Sequence, residues 1–170
     1  MLELQDITSV LNIGSGVSFE PHNDFWKEIF KAKNKIAFDL NRGKLKSWID
    51  TEWIPIQGDA SKLLDIFVDR SFDLVIATDL IEHLNKEEGL KFIENLEIIT
   101  KSAIVIFTPN GFLDTEKYQS ADVHSDLDVH KSGWTEEDFK KLGFQTELVK
   151  DLHNFGDVKF DGLWAWKICE

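Results

Sequence analysis

Four short polar clusters in this chain each follow an apolar run, and their residue types suit the recognition of a nucleotide-like ligand. Gly14-Ser15-Gly16 closes the run Ser9-Val10-Leu11-Asn12-Ile13. Glycines at such a point allow a tight turn and let the backbone approach a ligand closely. Asp39, with Leu40 after it, ends the run Lys35-Ile36-Ala37-Phe38. A carboxylate there can accept hydrogen bonds from both hydroxyls of a ribose. Gly58-Asp59-Ala60 follows the third run. Asp59 can accept from an exocyclic amine, and Ala60 offers a backbone N–H to a ring. Thr78-Asp79-Leu80 follows the fourth run and would floor the same crevice. A dinucleotide fingerprint wants a further glycine three residues after Gly16, and this chain has Phe19 there, which argues against a nicotinamide oxidoreductase.

Two histidines could move a proton. His83 follows Glu82 just past the fourth run, and His130 precedes Ser132-Gly133-Trp134. Imidazole is the side chain best matched to proton transfer near neutral pH. Trp134, ahead of a helix, reads as packing. His124, Asp126, Asp128 and His130 alternate along the chain and would share one face of an extended strand, where such residues bind divalent metals. Nothing else in the sequence supports that set, so it reads as a solvated acidic loop and no metal is expected.

The elements that must position these residues alternate in type. Strands are predicted over 9–13, 35–39, 52–56, 72–77 and 103–107. Helices are predicted over 24–32, 61–68, 86–99 and 135–142, the last capped by Thr135 with Asp138 three residues on and ended by Gly143. Pro55 suggests an edge position for the third strand. The stretch 111–133 shows no period and reads as a long functional loop. Two last strands, 144–149 and 163–168, are joined by a connection too short for a crossover helix, so they are expected to be antiparallel. Alternation of this kind makes an α/β fold with a mostly parallel sheet and right-handed crossovers. Ligands then bind beyond the carboxyl ends of the strands, which is where the polar clusters fall.

Composition narrows the class. The 170 residues suit one domain, 1–170. With 31 acidic against 19 basic residues the formal charge is −12, which disfavours a nucleic-acid partner and docking on anionic membranes. Lys31, Lys33 and Lys35 form the one dense basic run and read as a solvated helix end. A single cysteine, Cys169, permits no disulfide within the chain. No signal sequence and no apolar run of membrane-spanning length is seen, so no membrane insertion and a cytoplasmic location are expected.

Together these segments resemble the class I S-adenosylmethionine-dependent methyltransferases. The resemblance runs over Val10–Gly16, Ile36–Asp39, Gln57–Ala60, Phe72–Leu84 and Ile104–Asn110. The pattern Asp73 … Asp79-Leu-Ile-Glu82-His83-Leu84 looks most like the small-molecule, "methyltransferase type 11"-like branch. It implies a Rossmann-like sheet of seven strands, helices on both faces, and an antiparallel C-terminal hairpin. It also implies S-adenosylmethionine as cofactor. Gly14 and Gly16 would approach its methionine part, with Asn12 and Ser15 beside them. Asp39 with Leu40 would hold the ribose, Asp59 and Ala60 the adenine, and Thr78 and Asp79 would line the crevice. His83 and His130 are the catalytic candidates.

The expected activity is methyl transfer to a small-molecule or glycan- or lipid-linked acceptor. The chain departs from the family at Asn12, where an acid is usual, and at Ser18, where a third glycine is usual. Loss of that acid would weaken cofactor binding by about 1–3 kcal/mol. The alternative expectation is therefore a non-catalytic methyltransferase-like binding domain or partner subunit. The N-terminal helices that usually cap the site are not seen, so either the site takes a large substrate or another subunit, as in a homodimer, supplies the lid.

Overall fold

The structure is a computed structural model and describes residues 7–18, 24–118 and 126–169. Seven strands are present: β1 (Ser9–Ile13), β2 (Asn34–Asp39), β3 (Ile54–Gln57), β4 (Phe72–Thr78), β5 (Thr100–Pro109), β6 (Gln145–Phe155) and β7 (Val158–Ile168). The helices are α1 (Asp24–Phe30), α2 (Arg42–Leu45), α3 (Leu63–Ile66), α4 (Lys86–Ile99), α5 (Thr115–Tyr118) and α6 (Glu136–Lys141). The strands form one mixed sheet in the order β3-β2-β1-β4-β5-β7-β6. β1 runs parallel to both β2 and β4, and β2 runs parallel to β3. β3 lies at the edge, where Pro55 costs no ladder bond in the sheet interior. The order reverses beside β1, the position at which open α/β sheets bind ligands.

Backbone packing divides the chain into two compact units. The first draws on Met1–Ala77, Glu94–Ile104 and Ile168–Glu170, and the second on Thr78–Ile93 and Val105–Lys167. In the first, all five residues of β1 are buried, as a strand with neighbours on both sides and apolar side chains on both faces requires. Phe38, Trp48, Trp53 and Leu74 complete that core. A carboxylate ties β1 to β4: Asp73 Oδ2 accepts from Thr8 N (2.9 Å), Thr8 Oγ1 (2.7 Å) and Ser9 N (2.9 Å).

The second unit is built on the N-terminal part of α4, α6 and nearly all of the C-terminal hairpin. Trp134, Phe139 and Phe144 are buried and meet in sequence, the first pair tilted and the second edge to face. α6 begins with the expected Thr135 cap, which closes into a full capping box with Asp138: Thr135 Oγ1 accepts from Asp138 N, and the Asp138 carboxylate accepts from Thr135 N. Gly143 ends the helix at φ +83°, a conformation that favours glycine.

Two expectations need correction. Lys35 is not solvated. It is 4% exposed, and its ammonium donates to the carbonyls of Phe30 (2.8 Å) and Ala32 (2.9 Å) and to Glu52 (3.0 Å). It therefore satisfies the orphan acceptors at the C-terminal end of α1. The C-terminal strands are longer than expected, eleven residues each, and they meet at a tight turn with Gly156 at φ +67°. A register shift between Val149 and His153, with Asp151 at φ 53°, breaks the two-residue period and hides the outer half of the hairpin in the sequence. Residues 126–129 are turn and bend rather than extended strand, so the alternating set at 126, 128 and 130 does not share a face; His124 lies outside the described residues. No helix among the described residues is long and apolar enough to cross a membrane.

Candidate active site

In the first unit, the turn after β1 is a glycine loop. Gly14 and Gly16 have φ of +68° and +60°. The amides of Gly14 and Ser15 both donate to the carbonyl of Phe38, at 2.8 and 3.1 Å. The loop is thereby laid against the end of β2, where Asp39 meets it. Asp39 Oδ2 accepts from Gly16 N (2.9 Å), and Oδ1 accepts from Asn41 N (2.7 Å). A carboxylate has roughly four acceptor positions, so two backbone bonds fix this one and leave capacity for hydroxyl donors.

Trp48 and Ser47 brace the far side of the loop. Trp48 Nε1 donates to the carbonyl of Gly16 (2.9 Å), and Ser47 Oγ accepts from Ser18 N (2.7 Å). Neither residue stood out in the sequence, although Leu45, Trp48 and Ile49 show the i, i+3, i+4 spacing of a helical turn. That bond uses the backbone amide of Ser18, which a glycine at this position would supply equally.

Among the described residues, Asn12 Oδ1 and Ser15 Oγ at this loop are buried with no hydrogen-bond partner. Buried polar groups are ordinarily bonded. A Cβ added at Gly16 would meet nothing within 4 Å among the described residues, so space opens beside the loop. Gly58 is different, because a Cβ there would lie 2.4 Å from the Phe38 ring, and its role is packing. Asp59 caps the short turn Ala60–Lys62, accepting from Ser61 N (2.8 Å), and that bond holds its carboxyl below the usual range. Leu40 keeps an exposed apolar surface beside Asp39, and its carbonyl accepts from Gln57 Nε2.

The second unit holds Thr78, Asp79, Glu82, His83 and His130. Thr78 is half-buried at the end of β4. Asp79 turns the chain at φ 50°, with its amide donating to the carbonyl of Phe107 (2.9 Å). Its side chain reaches solvent but has protein on most sides, as in a recess, and desolvation pushes its carboxyl up to about 6. Glu82 is buried, its carboxylate accepting from Thr108 Oγ1 at 2.9 Å. Its pKa rises to about 8, chiefly through burial and then through Asp79.

His83 and His130 meet edge to face, ring centroids 4.9 Å apart. A carbonyl can only accept, so each Nδ1 that faces one is the protonated nitrogen. His83 Nδ1 faces the carbonyl of Val129 (3.2 Å) and His130 Nδ1 that of Leu113 (2.8 Å). Burial, and then the His83 charge, lower the His130 pKa to about 4. Glu82, His83 and His130 each offer a ligand atom, and these atoms lie within 4.8 Å of one another. Trp134 is buried packing: Nε1 donates to Ser132 Oγ (2.9 Å), and the Lys86 ammonium sits 3.6 Å from the ring centroid.

No family model matches the chain, and no curated protein is significantly similar to it. Solved structures do match. A SAM-dependent methyltransferase from Archaeoglobus fulgidus is 17% identical, with a TM-score of 0.63 over 95% of this chain and 87% of that one. A SAM-dependent methyltransferase from Methanosarcina mazei is 14% identical, with a TM-score of 0.64 over 98% of this chain and 95% of that one. The magnesium protoporphyrin IX methyltransferase of Synechocystis, solved with bound SAH, is 14% identical, with a TM-score of 0.60 over 96% of this chain and 74% of that one. The fold is that of the class I methyltransferases.

Within this methyltransferase fold, the structure joins Gly16 directly to Asp39 and holds Gly14 and Ser15 beside it through the Phe38 carbonyl. Asp59 is engaged locally with Ser61 instead. The pairing of His83 with His130 was not legible, because 46 residues separate them and no local pattern joins them. Nor was the part of Glu82, which the sequence reading passed over as the neighbour of a histidine.

Proposed function

We propose that the chain is an S-adenosylmethionine-dependent methyltransferase acting on a small-molecule or glycan- or lipid-linked acceptor. The observation that carries the reading is the glycine loop: two left-handed glycines, open space at Gly16, and a carboxylate fixed beside them. The group fits these residues. Asn12 and Ser15, whose buried oxygens lack partners among the described residues, suit the methionine end. Asp39 has acceptor capacity for ribose hydroxyls, Leu40 offers an apolar surface to the nucleoside, and Asp59 with Ala60 is assigned to the adenine. Thr78 and Asp79 are assigned to the same cofactor.

When bound, the cofactor supplies an electrophilic methyl. The protein's part is then to hold an acceptor in line with it, which is catalysis by proximity. His83 and His130 are assigned to the acceptor, whose proton must leave when it is a hydroxyl or an amine. Isothermal titration with S-adenosylmethionine tests the reading. Saturable binding at one site, weakened roughly tenfold or more in Asp39→Ala, is expected from the loss of charge-assisted bonds; no heat at millimolar cofactor would sink it.

Asn12 favours a second reading. It cannot offer a charge to the methionine ammonium, so a domain that binds the cofactor without turnover fits that position. Methylation of any acceptor at enzymatic rates rules this reading out.

A further inference from the structure

We propose that Glu82, His83 and His130 form a binding site for a divalent first-row transition-metal cation. Three potential ligands of mixed type converge, with ligand atoms within 4.8 Å of one another. They come from two stretches of chain, the adjacent pair Glu82-His83 and the distant His130, so the arrival of His130 at that pair is a product of the fold. Two imidazoles and one carboxylate suit manganese, iron, cobalt, nickel or zinc rather than magnesium. Ligand atoms about 2.1 Å from one ion stand roughly 3–3.5 Å apart, and side-chain torsions supply the remaining closure.

The surroundings match what metal ligands need. Metal-bound histidines almost always donate their other ring N–H to a carbonyl or carboxylate, which fixes the tautomer. Here both Nδ1 atoms face backbone carbonyls, Val129 for His83 and Leu113 for His130, so Nε2 carries the lone pair in each ring. Glu82 is oriented in the same manner by the Thr108 hydroxyl. Its backbone is fixed as well, its carbonyl accepting from the amides of Lys131 (2.7 Å) and Ser132 (3.1 Å), which ties the chain beside His130 to the chain beside His83. Among the described residues the buried Glu82 carboxylate has the Thr108 hydroxyl as partner and no counter-charge, and a cation is the partner it would gain most from. Asp79, three residues before Glu82, adds negative potential nearby.

Three protein ligands leave open positions for an oxygen ligand. A cation there would polarise an acceptor hydroxyl and ease loss of its proton. In that role, which rests on the methyltransferase reading, the two rings act through the ion instead of taking the proton themselves.

The test uses the full chain, stripped with a chelator and titrated with Co²⁺ alone, without cofactor. Visible d–d absorption and calorimetry are expected to report one equivalent bound. His83→Ala, His130→Ala and Glu82→Gln should each weaken binding at least tenfold, with far-UV circular dichroism unchanged. Glu82→Gln keeps size and shape, so it remains informative if a histidine variant misfolds. Asp126→Asn, in the exposed acidic turn, should bind as the parent does. Absence of Co²⁺ binding at millimolar concentration overturns the proposal, as does binding that survives Glu82→Gln or is lost in Asp126→Asn. If cofactor binds and Co²⁺ does not, this inference fails and the methyltransferase reading stands; the converse result separates them the other way.

Discussion

Three donors converge on one carboxylate oxygen where the chain enters β1, and Asp73 answers them from β4 while its own amide donates to Ser9 Oγ (2.9 Å). Burial acts to raise this carboxyl's pKa, but the bonds from Thr8 and Ser9 outweigh it and hold the group far below the ordinary carboxylate range. A depressed folded-state pKa means the folded chain binds fewer protons than the unfolded one. The stabilisation is therefore fully present above the unfolded value near 3.8 and is lost as pH falls below it. Asp73→Asn should lose about 1–2 kcal/mol at pH 7 in urea unfolding, with the difference from the parent narrowing at pH 3. A difference that stays constant across that range would contradict the assignment. Asp73 also shows the limit of reading single residues. The sequence marks Asp39, Asp59 and Asp73 alike as acids near strand ends. Only the fold tells that Asp39 fixes a loop, Asp59 caps a turn and Asp73 joins two strands.

Elements with unbroken periodicity were the most legible. The helix over 86–99 and the strand over 9–13 appear with the expected bounds, because each lies among signals that agree. Short elements without a period of their own, such as α2 and the 3₁₀ turn Lys46–Trp48, were missed, although Trp48 braces the glycine loop. Lys35 was misread for a related reason: a lysine beside other lysines looks solvated, and only the tertiary fold aims it at the end of α1. Its Glu52 partner is 85% exposed, so that ion pair contributes little, and the two carbonyl bonds carry most of the effect. Lys35→Ala strands those acceptors and should cost about 2–3 kcal/mol in urea unfolding. Glu52→Ala should cost under about 1 kcal/mol. Equal losses in the two variants would show that the ion pair, and not the capping of α1, is what matters.

At the scale of the whole molecule, the mostly parallel sheet and the antiparallel hairpin followed from alternation and loop length, whereas the strand order came only with the structure, and the joining of Glu82, His83 and His130 was not legible, since it depends on contacts across many residues. The charge of −12 belongs to this scale too. Its long-range field favours a cationic sulfonium ligand over a polyanionic dinucleotide, and the preference is screened by salt. A ligand that binds only the folded state stabilises it by about 2.7 kcal/mol at a hundredfold excess over its Kd. For a chain of this size that is a rise of roughly 5–10 °C in Tm. S-adenosylmethionine and its demethylated product should both produce such a rise in a thermal-shift assay. NAD should not, because the pyrophosphate meets neither a third glycine nor a basic side chain in the glycine loop. Raising the salt should reduce the shift from S-adenosylmethionine more than that from its zwitterionic product, which has no net charge. An equal rise with NAD would return the glycine loop to the dinucleotide class.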